Sequence, residues 1–176
     1  MAVRITFETH STTTDNEAGI ATGWLPGTLS DLGREQARLL GERRAEHVDA
    51  VFTSDLARAA ETASLAFRAT SIPVLHDWRL RECDYGRLNG APRAAVLGRR
   101  REHLVVPYPG GESWQQAVDR VGRFLDDLHL RWDGCHVVVI GHVATKWGLE
   151  HHLCGRPLDD LAAHEFIWQE GWEYRM

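Results

Sequence analysis

Val3, Ile5 and Phe7 alternate with Arg4, Thr6 and Glu8, the period of two that marks a strand with unlike faces. His10 stands just past the end of that run. A polar stretch, Ser11-Thr12-Thr13-Thr14-Asp15-Asn16, leads through glycines to Pro26 and favours local turns over regular structure. Ser30 then suits a helix N-cap, and Leu32, Ala37, Leu39 and Leu40 supply the apolar stripe of a helix running to about Ala45. Ala50-Val51-Phe52-Thr53 reads as a buried strand, and Ala59, Thr62, Ala63 and Ala66 give the helix after it a face of small residues.

Further along, residues 72–75 form a short strand, and residues 77–90 are turn-rich and carry Glu82. Residues 93–103 read as a helix with a basic face, and Pro107-Tyr108-Pro109-Gly110-Gly111 breaks the chain. Val118, Val121, Leu125 and Leu128 then recur at helical spacing. Residues 136–140 are a buried central strand, a helix spans roughly 143–153, and Glu165-Phe166-Ile167-Trp168 is the expected last strand. Strands alternating with helices predict an α/β fold, three-layer α/β/α with a mainly parallel central sheet.

A length of 176 residues suits one domain over 1–176, and 43% apolar with 26% charged residues is ordinary for a globular chain. The longest aliphatic run, Val137 to Ile140, falls far short of the roughly 20 residues that span a bilayer, so no membrane partner is expected. The first residues lack the apolar core of a secretory leader, which points to the cytoplasm. A net charge of -5 argues against nucleic acid while leaving room for a local anion pocket. Cys83, Cys135 and Cys154 are widely spaced, which fits reduced, mostly buried thiols and no thiolate metal site.

In open α/β sheets the ligand crevice lies at the carboxyl ends of the strands. His10, the segment from Ser54 to Arg58, and His142 all fall there. Histidines and an arginine at such an edge suit capture of a phosphate and its transfer to a nitrogen nucleophile.

At these residues the chain resembles the histidine phosphatase superfamily, the phosphoglycerate-mutase-like proteins. The resemblance rests on Thr9-His10-Ser11-Thr12-Thr13 with Asn16, then Leu29-Ser30-Asp31-Leu32-Gly33 after Gly23-Trp24. It continues through the block from Phe52 to Ala63 that contains Arg58, and Leu80-Arg81-Glu82 with Gly86 and Gly90. Pro109-Gly110-Gly111-Glu112-Ser113 and Val138-Val139-Ile140-Gly141-His142 complete the order. The resemblance implies a metal-independent, cofactor-free phosphatase acting on a small phosphomonoester. His10 is then the nucleophile and Glu82 the acid and base, a role that favours a partly desolvated carboxyl. Arg58, a protonated His142, Asn16, Thr9, Ser11 and the backbone at Val143 are then the groups that hold the phosphate oxygens.

The first block departs from the family's Arg-His-Gly-Glu, because Thr9, Ser11 and Thr12 stand where arginine, glycine and glutamate are usual. Threonine donates a hydrogen bond but brings no charge or bidentate fork. A second reading therefore stands beside the first: a catalytically weakened phospholigand-binding or regulatory member of the same fold. Under a rebuilt site, Arg81 or Lys146 is expected to supply the missing charge, whereas Arg99, Arg100 and Arg101 read first as a solvated helix face. Glu82 beside Arg81 also fits a surface ion pair, Asn16 an Asx turn, and Ser54 or Asp55 the N-cap of the helix carrying Arg58. A mutase is disfavoured, since only a short stretch separates Gly90 from Pro109. Trp168 and Trp172 read as core, although an exposed pair would suit a homodimer.

Overall fold

The computed structural model describes residues 2–176. Its strands are β1 (Arg4–Thr9), β2 (Ile20–Ala21), β3 (Ala50–Thr53), β4 (Val74–His76), β5 (Ala91–Pro92), β6 (His136–Gly141) and β7 (Trp172–Arg175). Its helices are α1 (Thr14–Glu17), α2 (Asp31–Arg44), α3 (Ala57–Phe67), α4 (Arg93–Arg99), α5 (Trp114–Arg131), α6 (Val143–Cys154) and α7 (Leu158–Ala163).

The main sheet has five strands in the order β4-β3-β6-β1-β7. β1, β3 and β4 run parallel to their neighbours in the β4-β3-β6-β1 row, and β7 closes the edge antiparallel to β1. Alternation along the strands sorts the core. Val137 and Val139, with Ile5, Phe7 and Phe52, meet Phe124, Leu125 and Leu128 of α5 and Leu149 of α6. Val138, Ile140 and Val51 point to the opposite face, against Leu40 of α2 and Ala59, Ala63 and Phe67 of α3. Both faces are thus covered, as an aliphatic parallel sheet requires. A third cluster, including Tyr85, Val96, Trp114, Trp147 and Leu158, joins α4 and α7 to α5 and α6.

The expected elements recur, with corrections. The last strand is β7, not residues 165–168: that short run turns Phe166 and Trp168 toward a cavity instead of pairing. The polar stretch after β1 holds α1, which Thr13 and Asn16 close with a reciprocal capping box. The helix expected over 93–103 ends at Arg99 and continues as a single tighter turn over Arg100–His103. In α2 the buried face is Gly33, Ala37, Leu40 and Gly41, while Leu32 and Leu39 face solvent. Glycines carry no hydrophobic signal, yet Gly41 lets α2 approach α3 at Ala66 and Gly33 lets it approach the Thr12 backbone. Only Cys83 of the thiols is buried; Cys154 is exposed. Among the described residues no helix is long and apolar enough to cross a membrane.

Candidate active site

The sheet register assembles the centre of the site. β1 and β6 stay in parallel register as far as Thr9 and Gly141, so the next residues, His10 and His142, leave the same edge side by side. The His10 N–H extends the ladder by donating to the Gly141 carbonyl at 3.0 Å, and the two imidazole centroids lie 5.0 Å apart. β3 pairs with the other side of β6, and its following turn delivers Arg58 on the first turn of α3. In that turn the Ser54 hydroxyl accepts the Leu56 N–H at 3.2 Å. Leu56, rather than Ser54 or Asp55, is the N-cap residue.

Arg58 is buried and its guanidinium organises the cluster. Nε donates to His10 Nε2 at 3.3 Å, and Nη2 donates to the Gly23 carbonyl at 2.8 Å and to His142 Nδ1 at 3.4 Å. Gly23 has φ of +55°, and a Cβ there would stand 1.8 Å from Asn89 Oδ1, so only glycine offers its carbonyl to Arg58 in this turn.

His10 Nδ1 lies 2.8 Å from its neighbour's carbonyl, Ser11 O. A carbonyl only accepts, so the proton sits on Nδ1 and the lone pair on Nε2, the atom that Arg58 addresses. Burial, reinforced by the Arg58 charge, pushes His10 down to about 3, so the ring is neutral at ordinary pH. His142 is held well below the usual imidazole range by burial first and then by Arg58, His10 and Arg120. This corrects the expectation of an imidazolium: in the free protein His142 is neutral. Since its Nδ1 accepts from Arg58, its proton is on Nε2, a buried donor with no partner among the described residues.

Glu82 sits across the cavity and is only 9% exposed, not a surface ion pair. Oε1 accepts the Cys83 N–H at 2.9 Å and the Ala144 N–H, in the first turn of α6, at 3.1 Å. Its carbonyl is gripped by Trp24 Nε1 at 2.6 Å and Arg120 Nη2 at 2.8 Å. Arg120 is itself buried and paired with Glu112 at 2.6 Å. One carboxylate oxygen is thereby anchored, while Oε2 takes no hydrogen bond among the described residues.

His10, Arg58, Glu82, His142, Thr9, Asn16 and Val143 all line one cavity of about 470 Å³. Ser11 does not: it is buried, and its N–H is bound by Thr62 Oγ1 at 3.0 Å. Thr12 lines the cavity in its place, with its N–H on Gln36 Oε1 at 3.0 Å. Asn16 closes the α1 cap through its side-chain oxygen, which accepts the Thr13 N–H, and still reaches the cavity. Neither expected replacement charge is there. Arg81 forks onto Asp55 at 2.6 and 2.7 Å and lies over the Trp24 ring, and Lys146 is paired with Glu150. Arg93 and Arg100 line the cavity instead. Arg93 opens α4 at the solvent edge, whereas Arg100 is buried and is not part of a solvated face. Gln36, Tyr85, Trp114, Phe166 and Trp168 complete the additions that spacing did not flag. Gln36 gave no sequence signal, and the four aromatics gave only that of large apolar side chains, which reads as core. Among the described residues no group of three His, Cys, Asp or Glu side chains gathers as a metal site.

The fold and this cluster define a class: an α/β protein with a neutral histidine, a buried arginine and a carboxylate around an oxyanion pocket at the strand ends. The profile of the histidine phosphatase superfamily (branch 1) matches residues 5–168, and the chain belongs to that superfamily. Phosphoserine phosphatase 1 of Hydrogenobacter thermophilus is 30% identical over 162 residues, covering 87% of this chain and 77% of the relative. A 2,3-bisphosphoglycerate-dependent phosphoglycerate mutase of Cytophaga hutchinsonii is 32% identical over 162 residues, covering 84% and 75%. The solved structure titled Mycobacterial hydrolase 1 superposes with a TM-score of 0.88 at 24% identity, covering 99% of this chain and 91% of that one. This last likeness speaks for the fold.

Proposed function

We propose that the protein is a metal-independent phosphatase that hydrolyses a small phosphomonoester through a phosphohistidine on His10. The observation that carries the reading is the state of His10: neutral, with Nδ1 tied to a carbonyl and the Nε2 lone pair turned to Arg58 at 3.3 Å. That is a nucleophile already in its reactive tautomer, beside the cation that an incoming phosphate meets.

In the first step Nε2 attacks phosphorus in line, the bond from phosphorus to the ester oxygen breaks, and Glu82 passes a proton to the departing alkoxide. In the second, water attacks the phosphohistidine, Glu82 takes its proton, and the P–N bond breaks to return neutral His10 and phosphate. Arg58, the His142 Nε2–H and the N-terminal turn of α6 at Val143 steady the charge on the equatorial oxygens. A dianion placed against His142 also favours its protonated form, so the buried ring gains its charge only when the ligand supplies the counter-charge. Thr9 contributes a hydroxyl where relatives of this pattern carry a guanidinium. The phosphatase and mutase named above handle small phosphorylated acids, which supports a small phosphorylated substrate here.

The test is phosphate release from a panel of sugar phosphates, phosphorylated acids, nucleotides and phosphopeptides, with EDTA present throughout. Release of phosphate in EDTA is expected, with loss in His10→Ala. Activity that disappears with EDTA contradicts the mechanism, and tight binding of phosphorylated ligands without any turnover supports the regulatory reading instead.

A further inference from the structure

Arg100 is a cation that the hydrolytic mechanism does not use. It lies in the turn after α4, is 9% exposed, and lines the same cavity as His10. It makes no ion pair or hydrogen bond among the described residues, and its Nε is buried without a partner. What holds it is aromatic: the guanidinium carbon stands 5.5 Å from the Trp114 ring centre and 5.2 Å from that of Trp147. The rings give the cation an aromatic neighbour but accept no hydrogen bond in their plane, so its N–H donors are left for something else.

A buried, unpaired charge is costly, and proteins pair it with an acid or a ligand. Each other buried arginine near the site has polar partners: Arg58 has two carbonyls and two imidazoles, and Arg120 has Glu112 with two carbonyls. Arg100 has none. Arg100 lines the cavity with Val96 of α4 and Trp114 of α5, whereas Arg58 is the arginine that contacts His10 and His142, so Arg100 is assigned to the leaving-group side and Arg58 to the transferring phosphoryl group.

We infer that Arg100 is a specificity-determining residue that receives a second anionic group, a carboxylate or a phosphate, carried by the leaving alcohol of the substrate. The inference rests on the phosphatase reading and narrows its substrate to doubly anionic phosphomonoesters. Burial against Trp114 and Trp147 restricts the side chain, so an oxyanion meets a partly preorganised cation instead of a mobile surface charge.

The experiment measures kcat/KM on ω-carboxyalkyl phosphates of increasing length, each beside the hydroxyalkyl phosphate of the same length, with alkane bisphosphates as a third arm. The wild-type protein should prefer the anionic partner by roughly 10- to 100-fold at the matching length, the scale of one charge-assisted hydrogen bond. The third arm tells carboxylate from phosphate. Arg100→Met, which keeps an apolar stem against the two rings, should bring that ratio toward unity. Arg100→Lys should retain part of it. A variant that is merely damaged lowers both substrates alike and keeps the ratio, which overturns the inference. So does a wild-type protein with no preference at any length, whether or not the variants fold. Calorimetric binding of the same ligand pairs reads the preference without turnover. A protein that hydrolyses none of them therefore overturns the phosphatase reading, while the binding ratio still decides the role of Arg100.

Discussion

In the proposed mechanism His10 and Glu82 divide the work of one phosphoryl group and one proton, and their surroundings suit those roles. His10 is held neutral by burial and by Arg58, while Glu82 is oriented by two backbone N–H groups on a single oxygen. Removing the carboxyl charge without changing its shape should therefore spare anion binding and harm turnover. Glu82→Gln is expected to lower kcat by about 10²–10⁴-fold on substrates with poor leaving groups, with vanadate affinity nearly unchanged. An unchanged rate removes Glu82 from the chemistry. Arg58 touches both histidines, and in the proposed mechanism it faces the phosphate in the ground and transition states alike. Arg58→Ala should weaken vanadate binding and kcat/KM together, which titration and steady-state kinetics on one preparation will show. The residue scale is also where the sequence was least informative about charge. Thr9 brings no charge to the cavity, and whether Arg81, Lys146 or Arg100 reaches it depends on which of them finds an acid first. Asp55 captures Arg81 from another part of the chain, which spacing does not single out, whereas Glu150 captures Lys146 at i,i+4 along α6, a pairing that helical spacing makes legible.

Among the elements, those whose period was unambiguous were legible. β1, β3, β6, α3 and α5 stand where alternation or helical spacing placed them, because each buries one continuous apolar face. The misread pieces have specific causes. In α2 the buried face contains Gly33 and Gly41, which carry no hydrophobic signal although Gly33 lies against the Thr12 backbone and Gly41 against Ala66 of α3. Residues 165–168 look like a strand, but the sheet edge beside β1 is taken by Trp172–Arg175. α1 is a single capped turn, too short for periodicity to reveal. The glycine contact makes its own prediction. A Cβ on Gly41 would come within 2.1 Å of the Ala66 carbonyl oxygen, a backbone atom that cannot rotate away. Gly41→Ala should destabilise the protein by about 1–3 kcal/mol despite the better helix propensity of alanine, read as a lower midpoint in urea. A stabilised variant shows that α2 and α3 tolerate separation.

At the scale of the whole molecule the site sets a limit on acid stability. His10 and His142 both have folded-state values below the ordinary 6.5, so the unfolded chain binds protons that the native one refuses. The stability they contribute is complete above about pH 6.5 and is lost as pH falls, for His10 down to about 3. Thermal unfolding should therefore shift to lower temperature as pH drops below about 6.5. An oxyanion such as vanadate or phosphate should raise the midpoint by binding the folded state alone. His10→Gln should flatten part of the acid slope, and a slope identical to wild type contradicts the assignment of a buried neutral ring.

The sheet register, the buried arginine and the second histidine all converge on one atom, His10 Nε2. Trapping the enzyme with a radiolabelled phosphomonoester and quenching without acid tests that atom directly. Label on His10, stable in alkali and lost in acid, absent from His10→Ala and kept off His142, is the result expected. Label that persists in His10→Ala, or steady turnover with no trapped phosphoenzyme at any time point, contradicts it.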